Sequence, residues 1–158
     1  MDSSFINIFI STFKKSFSFQ GRASRKEQWL WAFTALNVMA IFYNVLPALY
    51  PNVIFELICI SLYIICFFPP SISISIRRWH DLGYSGWFIV LHFIPIINLF
   101  VGLFLFFRAG NEETNKYGLV PINRNLTFFD KVWLWTFVAI IVLEFGRRLY
   151  LTYRLFNP

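Results

Sequence analysis

Charge is scarce in this sequence. Only 14% of the 158 residues are charged, whereas about 25% is usual for a soluble domain. Hydrophobic residues make up 58% of the chain. A soluble domain of this size still exposes roughly 30% of its unfolded surface, so a water-solvated globule is excluded. Cysteine is nearly absent. Cys59 and Cys66 lie seven positions apart inside one apolar run. On a helix they stand about 10 Å apart, beyond the roughly 7 Å that a disulfide tolerates. They carry no redox message. The glycines are scattered, which excludes a phosphate-binding P-loop and a dinucleotide fingerprint. No cluster has metal-ligand spacing, so no metal and no cofactor is expected.

What the chain has instead is apolar and aromatic bulk, with 21 phenylalanines. Lipid is the natural solvent for such a composition. The expected fold class is all-α: a small bundle of 3–4 transmembrane helices with an N-terminal amphipathic interfacial helix. The net charge is +6. The basic residues flank apolar runs and do not cover one face of a polar domain. A membrane surface is therefore the expected partner, and nucleic acid is not. The opening "MDSSFINIFISTFKK" has its lysines after the apolar residues, which is the wrong order for a cleaved signal peptide.

Residues 4–19 alternate Ser4, Asn7, Ser11, Lys14 and Ser18 with phenylalanines at helical spacing. That pattern fits a helix in the interface plane, with a helix packed on the bundle surface as the alternative. Gly21 ends this element. Ser24 and Glu27 have capping-box spacing, so the first spanning helix starts near Ser24. Residues 29–50 follow, with Trp29 and Trp31 in an aromatic belt; their length is about 33 Å of helix against about 30 Å of hydrocarbon. "YPN" at 50–52 makes a turn. The second run, 53–76, is expected to break at Pro69-Pro70, and a re-entrant second segment is one reading of that break. The third run, 86–107, is capped by Ser85, anchored by Trp87 and kinked at Pro95. A polar loop then leads to Thr127 and Asp130, which repeat the capping spacing. Residues 128–145 form a fourth span or an interfacial helix, about 27 Å long. The domain reading is thus 1–23 as amphipathic entry, 24–125 as membrane domain, and 126–158 as an extension with a basic tail.

Alternating spans place Lys14, Lys15, Arg22, Arg25, Lys26, Arg77 and Arg78 on one side, with Arg147, Arg148 and Arg154 if 128–145 spans. Arg108, Lys116, Arg124 and Lys131 fall on the other. The lysine and arginine excess makes the N-terminus and the 77–87 loop cytoplasmic.

Three stretches carry a resemblance: "FSFQGRASRKEQWLW", "PPSISISIRRWHDLGYSGWFIVLHFIP" and "NKYGLVP". Over about residues 17–121 they resemble the bacterial family called domain of unknown function 805 (DUF 805), inner-membrane proteins of the YhaH type. Its pattern falls here on Gly21, Arg22, Ser24, Arg25, Glu27 and Trp29, on Arg77, Arg78, His80, Asp81, Ser85, Gly86 and Trp87, and on Asn115, Tyr117 and Gly118. The resemblance implies a bacterial inner-membrane protein and no particular activity.

The central cluster has two readings. In one, Arg22, Arg25, Arg77 and Arg78 hold an anionic lipid headgroup or small anion, with His80 oriented by Asp81. In the other, the arginines set topology, Asp81 pairs with Arg77 at i, i+4, and Gly83 and Gly86 permit the turn. A stripe of Ser71, Ser73 and Ser75 toward Asp81, with His92, would suit a small transporter or channel subunit. An enzyme on lipid headgroups is the distant third, since nothing beyond His80 and Asp81 resembles catalytic machinery. The expectation is a non-enzymatic membrane component touching anionic lipid, a partner membrane protein or a second copy of itself.

Overall fold

A computed structural model describes residues 5–50, 52–122, 125 and 128–156. The described residues are helical: α1 (Phe5–Lys14), α2 (Arg25–Leu49), α3 (Val53–Asp81), a 3-10 helix (Gly86–Phe93), α4 (Pro95–Phe107) and α5 (Phe128–Phe156). Pro51, Arg124 and Thr127 lie outside the described residues, and so does the expected cap at Thr127.

α2 begins where its capping residues require. The Ser24 hydroxyl accepts from the Glu27 amide at 3.2 Å, and the Glu27 carboxylate accepts from the Ser24 amide at 3.2 Å. Two otherwise orphaned N–H groups are thereby satisfied reciprocally. Asn52 does the same for α3, its side chain accepting from the amides of Ile54 and Phe55. α3 is the one described helix long and apolar enough to cross a membrane.

The expected break at Pro69-Pro70 does not occur, for α3 runs unbroken through both prolines. A proline pair removes ladder hydrogen bonds and disfavours helix, but neighbours can compensate. Here Phe67 packs on Trp31 with ring centroids 5.4 Å apart. Ser71 donates to the Phe67 carbonyl at 2.7 Å and accepts from Trp31 Nε1 at 2.9 Å. Trp31 is therefore not in an aromatic belt. It is buried against Ala23 and Ile74, and Phe9 of α1 stacks on it at 5.4 Å. α1 ends at Lys14, short of the expected 4–19, and packs on the bundle, as the alternative reading expects. Ile8 and Thr12 are buried against the bundle, while Ile6, Ile10 and Phe13 are exposed.

Residues 86–107 also depart from expectation. They are two helices folded back on each other, broken at Ile94-Pro95, where Pro95 takes the first helical position at no hydrogen-bonding cost. Gly86 lies against Ile76 and His80 at the end of α3: an added Cβ would come 2.8 Å from Ile76 Cγ2 and 3.0 Å from His80 Nε2. The last turn of α4 returns to the same place. Trp29 Nε1 donates to the Phe106 carbonyl at 2.9 Å, and Arg25 reaches the Phe107 carbonyl at 3.4 Å. Arg108 and Lys116 thus sit at the same end of the molecule as Arg25 and Arg78, correcting the alternating arrangement.

α5 extends to Phe156, beyond the expected 145. Its start is tied to α2 by Lys26 and Asp130, 2.6 Å apart with both side chains fully buried. Farther along, Glu144 pairs with Arg147 at 2.9 Å, the salt bridge their spacing predicts.

Candidate functional site

α3 ends in a Schellman turn. The Gly83 amide donates to the His80 carbonyl and the Tyr84 amide to the Trp79 carbonyl, both at 3.0 Å. Gly83 has φ +83°, a left-handed conformation that a side chain disfavours. The turn leaves Asp81 aimed inward, 1% exposed.

Asp81 is gripped from both sides. Arg22 donates through Nε to Oδ1 at 2.9 Å, and its Nη2 forms an ion pair with the same oxygen at 2.9 Å. Arg78, one helical turn before Asp81, donates through Nη1 to Oδ2. The expected pairing with Arg77 is therefore corrected to Arg78 and Arg22. Arg78 faces the end of α4, where its Nε and Nη2 cap the carbonyls of Leu105 and Arg108. These belong to the last turn of a helix, whose carbonyls lack intrahelical partners. Arg22 reaches into the following loop. Its Nη1 donates to the carbonyls of Glu113 at 2.7 Å and Gly118 at 3.3 Å, and its Nη2 to that of Asn111 at 2.5 Å. All three nitrogens of the guanidinium are thus engaged inside the cluster.

The late motif closes the cluster. Asn115 donates from Nδ2 to the His80 carbonyl and accepts the Tyr117 amide on Oδ1, both at 2.9 Å. Tyr117 stacks on the His80 ring with centroids 3.8 Å apart and planes 5° from parallel. His80 Nδ1 faces the Gly21 carbonyl at 3.2 Å, so the expected orientation of His80 by Asp81 is not formed.

Arg77 points elsewhere. It is buried, its carbonyl accepts the Ala23 amide at 3.0 Å, and its Nε and Nη2 have no hydrogen-bond partner among the described residues. Burial raises the Glu27 pKa, and the charge of Arg77 works against that rise. Arg25 is exposed. The serine stripe is committed to packing. Ser71 bridges Trp31 and Phe67, Ser73 contacts the carbonyls of Lys15 and Ser18 at 2.6 and 2.8 Å, and Ser75 is buried. His92 is on the 3-10 helix, and no described hydrogen bond joins it to the cluster. Ser85 caps that helix and Trp87 is exposed.

Sequence reasoning missed Gly110. A Cβ there would fall 1.9 Å from Asp81 Oδ2, so only glycine allows the loop to close over the carboxylate. It also missed the carbonyls of residues 105, 108, 111 and 113, which no side-chain pattern encodes. The loop that closes the cluster also lines an open depression of about 340 Å³, with Asn111, Glu112, Glu113, Thr114 and Asn115. Its carboxylates are the wrong sign for phosphate. Among the described residues no group of histidine, cysteine and carboxylate side chains has metal-site geometry.

Residues 16–119 match the family described as "Protein of unknown function (DUF805)". The inner membrane protein YhaI of Escherichia coli (strain K12) is 36% identical over 115 residues, covering 72% of this chain and 93% of that relative. Inner membrane protein YhaH of the same strain is 31% identical over 118 residues, covering 72% and 94%. No solved structure matches the chain.

Proposed function

The chain belongs to the DUF805 family, and from that premise we propose that it is a non-enzymatic component of the bacterial inner membrane whose basic cytoplasmic face binds anionic lipid headgroups. One observation carries the reading: the cations divide into an inner and an outer set. Arg22 and Arg78 have all their guanidinium nitrogens engaged inside the cluster, so these two signature arginines serve as structure. Lys14, Lys15, Arg25, Arg108 and Lys116 stay exposed at the same end. Phe13, Phe17 and Phe19 are exposed beside the two lysines, and Phe17 is 79% exposed. Apolar rings in the acyl boundary with ammonium groups at headgroup level is the arrangement of an interfacial anchor. Each such cation contributes about 1 kcal/mol of attraction to an anionic leaflet. The excess of lysine and arginine at this end supports its cytoplasmic orientation. The separation of His80 from Asp81 supports a non-enzymatic role.

The test is lipid co-purification. A Lys14→Gln/Lys15→Gln/Arg25→Gln variant extracted in mild detergent should retain a lower ratio of phosphatidylglycerol to phosphatidylethanolamine than the parent. An unchanged ratio, in a variant that melts like the parent, overturns the headgroup reading.

A further inference from the structure

We propose that residues 86–107 form a re-entrant hairpin that enters and leaves the membrane from the cytoplasmic side, its tip among the acyl chains of that leaflet. Hydropathy alone presents this stretch as a crossing helix. The geometry points to a hairpin for three reasons.

First, both ends of the stretch are fastened to one place. Gly86 lies against His80 and Ile76, and the carbonyls of Leu105 and Arg108 are capped by Arg78 from the same last turn of α3. A helix that crossed would leave these carbonyls on the far side. Second, neither arm is long enough. The 3-10 helix has 8 residues, about 16 Å at about 2.0 Å per residue. α4 has 13 residues, about 20 Å. The hydrocarbon core is about 30 Å thick. Third, the surface of the hairpin does not suit water. Trp79, Leu82, Leu91, Val101 and Leu105 pack together and hold the two arms against α3. Away from that contact, Phe93 is 65% exposed, Ile96 77% and Phe100 65%. Phe106 seats α4 on α2 between Trp29 and Phe33, with centroids 6.4 and 6.2 Å away. Phe33 lies a turn farther along α2 than Trp29, so the last turn of α4 packs beside the start of α2.

Some of the backbone groups at the Ile94-Pro95 break are paired, and α4 begins there without a side-chain cap. The Ile94 amide donates to the Leu91 carbonyl at 3.3 Å, the Asn98 amide to the Ile94 carbonyl at 2.7 Å, and Pro95 has no amide hydrogen to leave unpaired. Arg108, Lys116 and the loop between them become cytoplasmic, on the side that an excess of lysine and arginine marks.

Cysteine labelling tests the hairpin without reference to lipid preference, so it can succeed where the headgroup reading fails, or fail where that succeeds. In a Cys59→Ala/Cys66→Ala background, Gln20→Cys marks the cytoplasmic end and Tyr50→Cys the opposite one. Glu112→Cys, on the loop after α4, is the probe, and Asn125→Cys replaces it if that variant does not accumulate. A membrane-impermeant maleimide should label the loop probe together with Gln20→Cys, only after the membrane is opened. Labelling of the loop probe in intact cells, together with Tyr50→Cys, overturns the hairpin.

Discussion

The two halves of α3 invert each other. From Val53 to Phe68 the large apolar side chains face outward: Val53 is 71% exposed, Ile54 70% and Ile65 67%. From Pro70 to Asp81 the polar and charged side chains face inward, with Ser73 and Arg78 fully buried. In water both halves would be inside out. In a bilayer both are stable for one reason: the isoleucines meet lipid, and Arg78 and Asp81 meet each other and their oxygen partners. Lipid satisfies isoleucine. A guanidinium has to find carboxylate and carbonyl oxygens, and those of Asp81, α4 and the loop provide them. The charged half is therefore specified by individual contacts, and the apolar half by its average character.

That contrast sets an order of mutational cost along one helix. Asp81→Ala should be the most damaging change, because it strands two buried guanidinium groups. Breaking a buried pair this way typically costs about 3–5 kcal/mol. Loss of monodisperse protein, or a large fall in melting temperature in detergent, is the expected result; a parent-like melt would show the charged half to be as tolerant as the apolar one. Ser73→Ala should cost about 1 kcal/mol, since its hydroxyl is the hydrogen-bond donor to the carbonyls that follow α1. It should also raise amide exchange between Phe13 and Phe19, which would separate a lost tether from a general loosening. Ile65→Leu should shift stability by no more than about 0.5 kcal/mol, the usual range for substitutions at an exposed site. A larger loss would mean that Ile65 meets protein, such as a second copy of the chain, and not lipid.

The parts of this structure that sequence can disclose are local. Ser24 and Glu27 satisfy each other within one turn, so their spacing carries the signal. Glu144 and Arg147 do likewise. The partners of Asp81 are different. Arg77 and Arg78 both lie within helical reach of it, and only the position of α4 turns Arg78 toward it; Arg22 comes from 59 residues away. The two prolines in α3 read as a break because proline's local preference is strong, and Trp31 overrides it through contacts that spacing does not reveal. The hairpin is hidden for another reason. An apolar stretch that folds back in lipid and one that crosses it have the same hydropathy. Pro95 was the one cue, and its expected kink is a full break between two kinds of helix.

The buried contact between Lys26 and Asp130 makes two parts of the chain answerable to each other. Lys26 lies within the stretch that matches the family, and Asp130 lies beyond it. A chain cut before Phe128 would keep the lysine and lose its counter-ion. A chain with an apolar residue at position 26 would keep α5 and lose this ion pair. The extension is thus fastened to the family domain through one buried ion pair, a contact that costs stability whichever partner is removed.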